Sequence, residues 1–311
     1  MSAELTTAEK EALASMRSAF AGVEGEGLPL VDNTFLRYLR ARTYDVGRAT
    51  EMLHATIKWR RDFDIKSLHD GWEKVIEEEN KTGKGYCRGF SRTGNVLLYL
   101  RPRNENTYQH DGNLKHLVYN MERAVSCMEA DGRNDKLILL IDYDGYSLLN
   151  APPIKTSTET LSILQNHFPE RLARAYCIRP PWIFSAFWAV ISPFIDPVTF
   201  QKVVMLSGSP AEIGARLNAD GIDLGSLETD IGGTDPRPFV SSIYLGSNLP
   251  SARSASTSSA PAGEGLSREK AFTMDFARLA SEHGDGAGET TTVPGAVPGK
   301  DSKAGSSWFF F

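Results

Sequence analysis

The sequence lacks the marks of several protein classes. Among 311 residues there are only three cysteines, Cys87, Cys127 and Cys177, and they form neither a C-x-x-C pair nor a metal-ligand spacing. Three thiols without such a framework are typical of reduced cysteines in a cytosolic protein. Positive charge is not in excess either, because the formal net charge is −5. This balance disfavours nucleic acid as a partner.

Long apolar runs are also missing. No segment reaches the roughly 18 apolar residues of a membrane-spanning helix. The amino-terminal segment MSAELTTAEKEALASM has no apolar core of the kind found in a secretory signal. We therefore expect a cytoplasmic protein whose association with membranes is peripheral and transient.

Motifs for catalysis are absent as well. The sequence has no P-loop and no G-x-S-x-G nucleophile elbow, and its six histidines are scattered. Asp142 and Asp144 end a strand pattern and could bind a metal, but no second acidic cluster accompanies them, so a strand-ending turn is favoured. We expect no enzyme activity, no cofactor and no metal site.

One unusual segment, residues 171–206, stands out among what the chain contains. Its ends have the pattern of strands at 173–178 and 202–206, and residues 183–194 between them have the length of a helix. Nearly every residue from 182 to 191 is apolar, so this helix lacks the polar stripe of a surface helix. It is therefore either buried on all sides or covers something apolar.

The rest of the chain divides by pattern into three parts. Helical periodicity dominates the first part, with predicted helices at 6–21, 32–42 and 45–63 and a charged helix at 67–81. Strands at 95–101 and 136–142 then alternate with helices at 111–130, 158–168 and 209–218, which predicts an α/β layer with a mostly parallel sheet. We predict an N-terminal helical module over 1–80, an α/β domain over 81–245 and a Ser/Gly/Ala-rich tail over 246–311 with one possible helix near 267–283.

Basic residues concentrate in the N-terminal helices. Residues 33–61 contain seven of them against two acids, namely Arg37, Arg40, Arg42, Arg48, Lys58, Arg60 and Arg61. This surplus fits either a solvated helical hairpin or a surface that faces anionic lipid or phosphate.

Two segments resemble one family. The residues LRYLRARTYDVGRATEMLHATIKWR at 36–60 resemble the N-terminal helical segment of the CRAL-TRIO lipid-binding family. The residues HFPERLARAYCIRPPWIFSAFWAVISPFIDPVTFQKVVML at 167–206 resemble its lipid-binding domain, and the fungal-type phosphatidylinositol/phosphatidylcholine transfer proteins are the most similar branch. The resemblance extends over about residues 33–233. It implies a sheet that floors an apolar lipid pocket, a movable gate helix that closes the pocket, and a helical N-terminal module.

The resemblance also implies site residues. The phosphoinositol head group would be held by Arg42, Glu170, Thr199 and Lys202. Arginine and lysine supply charged donors for a phosphate, while Glu170 and Thr199 can bond inositol hydroxyls. The alternative for Glu170 is a local surface ion pair with Arg171. The gate and the apolar pocket would be formed by Phe184, Phe187, Trp188, Ile191 and Phe194.

The sequence departs from the branch at two places. Thr43 stands where the family has a lysine, which removes one partner of the phosphate. The family's polar contacts to phosphatidylcholine fall on Leu97, Leu137 and Leu139. Leucine cannot hydrogen-bond a choline phosphate, and a buried unpaired phosphate is strongly disfavoured. We therefore expect the second ligand, if there is one, to be more apolar.

The implied function is the extraction of phosphatidylinositol from one membrane and its exchange with another, in support of phosphoinositide metabolism and signalling. Two alternatives remain at this point. The protein could carry a tocopherol- or retinoid-like small molecule, or it could be a scaffold that presents phosphatidylinositol to a lipid kinase.

Overall fold

A computed structural model of the chain describes residues 4–68, 70–132, 134–147, 153–182, 184, 188, 195 and 197–246. Four helices come first in these ranges: α1 (Thr7–Ala19), α2 (Asp32–Ala41), α3 (Val46–Asp62) and α4 (Glu73–Asn80). The strands are β1 (Gly85–Phe90), β2 (Val96–Leu100), β3 (Leu137–Asp142), β4 (Leu172–Ile178) and β5 (Val203–Leu206). The helices among and after them are α5 (His110–Asp131), α6 (Ile154–His167), α7 (Pro197–Phe200), α8 (Pro210–Ala219) and α9 (Ser241–Gly246).

The five strands form one sheet in the order β1-β2-β3-β4-β5. Strands β2 to β5 are parallel to their neighbours, and β1 adds an antiparallel edge. The predicted α/β class with a mostly parallel sheet is confirmed. The sequence pattern did not predict β1, whose residues GYCRGF include two glycines and an arginine instead of an apolar run.

The first three helices form a module with an apolar cluster of its own, which includes Met16, Phe35, Leu39 and Leu53. Thr6 caps α1 through a capping box with Glu9. Helix α2 has no side-chain cap; Asp32 is its first residue, and the Asp32 carboxylate binds Arg17.

Several basic residues of this module have partners inside the protein. Arg60 is buried and donates to the Glu122 carboxylate at 2.7 and 3.0 Å. Arg37 is also buried and donates to Thr34 Oγ1 at 3.1 Å. Lys58 and Arg61 pair with Asp62 and Glu26. Only part of the local positive surplus is therefore available to an external anion.

The two faces of the sheet are covered unequally. Side chains alternate between faces along a strand, so Leu97, Tyr99, Leu140 and Tyr176 share one face, where all four are buried in the main core. On the other face, the strand register places Leu139 beside Ala175 and Ala175 beside Val203. Leu139 and Val203 are only half-buried. Met205 in the next row is 40% exposed. This second face is called the open face below.

Charged residues gather at the carboxyl edge of the parallel strands. Asp142 is buried at the end of β3 and accepts hydrogen bonds from Arg103 at 2.7 Å and from Arg179 at 2.9 Å. Arg179 also lies 3.7 Å from Asp144. Two guanidinium groups thus bind this carboxylate pair, which is the pattern of an ion pair at the end of a strand.

The last described segment closes over the first strands. Glu228 is buried between Arg88 and Arg101 and accepts from the Tyr86 hydroxyl at 2.8 Å. Further on, the Tyr244 hydroxyl accepts from the Cys87 amide at 3.0 Å and donates to Asn120 at 2.7 Å. The residues after 222 are thus held to β1, β2 and α5 by charge and by hydrogen bonds. No helix of the described ranges has both the length and the apolar character needed to cross a bilayer.

Candidate functional site

A row of aromatic rings lies over the open face. Phe184 is buried against Ile141, Cys177 and Tyr143, with 5.1 Å between the Phe184 and Tyr143 ring centroids. Trp188 stacks on Phe184 at 5.9 Å and on Phe200 of α7 at 5.4 Å. Two of the predicted gate residues, Phe184 and Trp188, therefore pack on this face. The other three, Phe187, Ile191 and Phe194, lie outside the described residues.

The open face is uncharged. Leu100, Leu139 and Val203 pack against the aromatic row. Burial raises the pKa of the Cys177 thiol to about 12 and that of the Tyr143 hydroxyl well above its ordinary value, so both groups are neutral at physiological pH. A surface of this kind suits hydrocarbon chains and offers no counter-charge to a phosphate.

The leucines expected at the choline-lipid positions do not all face this surface. Leu97 is paired in register with Ile138 and lies on the covered face, fully buried in the main core. Leu139 lies on the open face, and Leu137 shares its side of β3 but is buried. The alignment at Leu97 was therefore wrong by one residue, because Leu98 is the β2 residue beside Leu139. Leu98 is also apolar, so neither Leu98 nor Leu139 can hydrogen-bond a choline phosphate.

Three of the four predicted head-group residues lie at the amino-terminal edge of the parallel strands. Glu170 is two residues before β4. Thr199 and Lys202 lie in the turn that enters β5, where the Lys202 amide donates to the Thr199 carbonyl at 3.0 Å. The Lys202 carbonyl in turn accepts from Ala175 of β4 at 3.0 Å. The Lys202 side chain is half-buried and has no ion-pair partner among the described residues, so its charge is available to a ligand.

The fourth residue, Arg42, ends α2 in the N-terminal module. Its guanidinium donates to the Ala41 carbonyl at 2.9 Å and makes no hydrogen bond to Glu170, Thr199 or Lys202. One turn earlier, the Tyr38 hydroxyl reaches the His167 carbonyl at 3.5 Å, three residues before Glu170. The structure therefore brings the module that carries Arg42 to the loop that carries Glu170, without a direct contact between these two side chains.

The ion pair that Glu170 forms differs from the surface ion pair expected as an alternative. Its carboxylate pairs with Lys136 at 3.4 Å and not with Arg171. Arg171 is buried, and burial lowers the pKa of its guanidinium. Glu170 itself has φ of 60°, a left-handed conformation that is unfavourable for a residue with a side chain. Lys136 was missed by sequence reasoning, since nothing in its own neighbourhood marks it.

A metal site is not evident in the part of the chain that the structure describes, where no group of three or more His, Cys, Asp or Glu side chains could hold an ion. Among the described residues, the geometry offers an uncharged surface beneath aromatic rings. At one edge of the same sheet it offers Lys202 next to Thr199 and, before β4, the ion pair of Glu170 with Lys136.

Comparisons with known proteins agree with this geometry. Residues 80–233 match the family described as CRAL/TRIO domain, and residues 5–55 match the CRAL/TRIO N-terminal domain. The chain is 38% identical over 181 residues to the CRAL-TRIO domain-containing protein C23B6.04c of Schizosaccharomyces pombe, across 58% of this chain and 18% of that protein. It is 32% identical over 179 residues to the phosphatidylinositol transfer protein PDR17 of Saccharomyces cerevisiae, across 55% of this chain and 51% of PDR17.

A longer match is found with the SEC14 cytosolic factor of Candida glabrata, which is 27% identical over 271 residues, across 77% of this chain and 86% of that protein. The chain thus spans about half or less of the first two relatives and most of the third.

Among solved structures, the crystal structure of Sfh5 superposes with a TM-score of 0.60 at 15% identity, covering 88% of this chain and 98% of Sfh5. That likeness establishes the fold. Because both its N-terminal helical module and its α/β domain match the family models, the chain belongs to the CRAL/TRIO family.

Proposed function

We propose that the protein binds phosphatidylinositol and exchanges it between membranes, in support of phosphoinositide metabolism. The observation that carries this proposal is the half-buried Lys202, which lacks an ion-pair partner among the described residues and lies beside Thr199. Lys202 leads directly into β5, whose Val203 belongs to the open face. A lipid could therefore place its phosphate at Lys202 and its chains on the uncharged surface that begins one residue later.

Transfer requires a continuous apolar path from membrane to protein. Each methylene favours an apolar environment by about 0.8 kcal/mol, so a two-chain lipid in water is disfavoured by tens of kcal/mol. Exposed apolar side chains surround the aromatic row and supply such a path: Trp182 at 87% exposure, Val198 at 58% and Phe200 at 43%. On this proposal the protein is cytoplasmic, docks on membranes only transiently and changes no covalent bond.

The first experiment measures transfer of fluorescent phosphatidylinositol between vesicles. Lys202→Ala should reduce the rate at least tenfold, because a charge-assisted contact to the phosphate is lost. The double variant with Arg42→Ala should abolish transfer while the thermal unfolding midpoint stays unchanged. Arg48→Ala is the matched control, since Arg48 is exposed on α3. Transfer by the double variant at the wild-type rate would contradict the assignment.

A second candidate function follows from the open face. Its row Leu98, Leu139, Ala175 and Val203 has no polar side chain, which favours an apolar second ligand over a choline lipid. On this second proposal the protein carries a small hydrophobic molecule of the tocopherol or retinoid kind. Mass spectrometry of the lipid that co-purifies with the protein separates the two: phosphatidylinositol supports the first proposal, and a small apolar molecule without it supports the carrier. Presentation of phosphatidylinositol to a lipid kinase is tested separately, because a transfer-competent protein without effect on kinase output would contradict it.

A further inference from the structure

Lys136 lies beside the predicted head-group residue Glu170, with its Nζ atom 3.4 Å from Glu170 Oε2. Resting on the proposed function, we propose that Lys136 is a further residue of the head-group site and contacts the phosphate of the bound inositol lipid. Nothing in the family resemblance of the sequence assigned a role to this residue. The following contacts carry the proposal.

Hydrogen bonds on both sides of Lys136 hold its segment next to that of Glu170. The Leu137 amide donates to the Arg171 carbonyl at 2.8 Å. The Arg171 guanidinium donates to the Asp135 carbonyl at 2.8 Å. The residues before and after Lys136 are therefore both bonded to the residue after Glu170. This double attachment holds the two charged side chains face to face at the amino-terminal edge of β3 and β4.

Lys136 itself is also held in place. Its amide donates to Asn134 Oδ1 at 3.2 Å, and its carbonyl accepts from Asn95 Nδ2 at 3.3 Å. Its side chain nevertheless remains 34% exposed, and that of Glu170 23% exposed. Because a partly exposed ion pair contributes little to folding stability in water, stability alone does not account for this arrangement. A ligand can reach both groups.

The charge at the site supports a role for the lysine. Glu170 alone would repel an approaching phosphate, and Lys136 neutralises that carboxylate. A lysine ammonium has three donors, so one can bind Glu170 while another binds a phosphate oxygen. Lys136 directly precedes β3, so its ammonium group adds a cation to this edge of the sheet. On this proposal it joins Arg42 and Lys202 as a third cation of the head-group site.

The experiment compares equilibrium binding of two fluorescent lipids, phosphatidylinositol and a diacylglycerol that has no head group. Lys136→Gln should weaken binding of phosphatidylinositol about tenfold, which corresponds to about 1.4 kcal/mol, and should leave diacylglycerol binding and the unfolding midpoint unchanged. Lys136→Arg, which keeps the charge, should retain most of the affinity. Lys74→Gln on α4 is the matched control, because Lys74 is an exposed lysine away from this edge.

A direct contact and a purely supporting role differ in a double variant. If Lys136 binds the phosphate, Lys136→Gln combined with Glu170→Gln should bind phosphatidylinositol more weakly than Glu170→Gln alone. Equal affinity of these two variants, or unchanged affinity of Lys136→Gln, would overturn the inference while the proposed function stands. A wild-type protein with no preference for phosphatidylinositol over diacylglycerol would instead overturn the proposed function, and this inference with it.

Discussion

The imidazole of His167 stacks on the indole of Trp59, with ring centroids 4.2 Å apart and planes inclined by 7°. Trp59 belongs to α3 of the N-terminal module, and His167 ends α6 of the α/β domain. Thr56, on the same helix as Trp59, donates to the Asn166 carbonyl at 3.2 Å. Since Glu170 follows His167 by three residues, these contacts fasten the N-terminal module to the loop that enters β4.

Removing the indole should loosen this junction. Trp59 also meets Phe168 edge-on at 6.1 Å, and aromatic pairs of this kind contribute about 0.5–1.5 kcal/mol each. We expect Trp59→Ala to lower the free energy of unfolding by about 2 kcal/mol and Trp59→Phe to retain most of it. Urea denaturation followed by circular dichroism measures both. Equal stability of Trp59→Ala and wild type would show that the stack does not join the two parts.

Acid should destabilise the protein through the buried His116 and the half-buried His167. Burial and then the charge of Arg60 lower the pKa of His167 from 6.5 to about 4. Burial and then the charge of Lys84 lower the pKa of His116 to about 3. Below pH 6.5 the unfolded chain binds protons that the folded protein does not, so stability falls as the pH decreases from 6.5 towards 4. At pH 5 each histidine should account for about 1–2 kcal/mol.

The matched variant for this effect is His167→Phe, which keeps an aromatic ring but cannot titrate. Its stability should decline less steeply than that of the wild type between pH 6.5 and 4, as measured by denaturant midpoints at a series of pH values. An equal loss of stability in both proteins would show that His167 does not contribute to the acid sensitivity.

Filling the open face should exclude lipid without unfolding the protein. Leu139 is half-buried on this face, so Leu139→Trp has room for the larger ring and should lower the amount of lipid that co-purifies several-fold. The neighbouring Leu140 is buried in the main core, where an added ring is expected to cost about 1–3 kcal/mol or more. Leu140→Trp should therefore lower the unfolding midpoint much more than Leu139→Trp. Undiminished lipid in Leu139→Trp would mean that acyl chains do not lie on this face.

Trp182 should contribute to the docking of the protein on membranes. Tryptophan favours the membrane–water interface, and this side chain is almost fully exposed next to the aromatic row. Trp182→Ala should weaken co-sedimentation with phosphatidylinositol-containing vesicles several-fold and leave stability unchanged. Val31→Ala is the control, because Val31 is also an exposed apolar residue and lies on the N-terminal module. Loss of vesicle binding in both variants, or in neither, would count against a specific role of Trp182.

Much of the fold could be predicted from the sequence because its periodicity is strong. The apolar run of β3 and the amphipathic pattern of α5 were placed within one residue of their observed bounds. Strand β1 has no such pattern. Two of its six residues are glycines at the edge of the sheet, and Arg88 pairs with Glu228. The predicted charged helix at 67–81 is in fact interrupted, and α4 begins only at Glu73.

Glu170, Thr199 and Lys202 could be proposed from the sequence because the segment 167–206 carries both the motif and the strands that position it. The structure places all three at one edge of the sheet, and their contact with a head group stays a prediction. Lys136 could not be found in this way, because it precedes Glu170 by 34 residues in the chain and meets it only through the pairing of β3 with β4. The burial of Arg37 and Arg60 was equally hidden, because it depends on how α2 and α3 pack on the rest of the protein.

Two late residues complete the contacts of much earlier ones: Tyr244 hydrogen-bonds Cys87 and Asn120, and Glu228 pairs with Arg88. The order in which these residues are synthesised therefore matters for folding. On the ribosome, Cys87, Arg88 and Asn120 leave the exit tunnel more than a hundred residues before these two partners do. Until then Arg88 and Arg101 have no counter-ion from that segment, and the edge of β1 is open to other chains. We therefore expect the nascent protein to be prone to association until α9, the last helix of the described residues, is released.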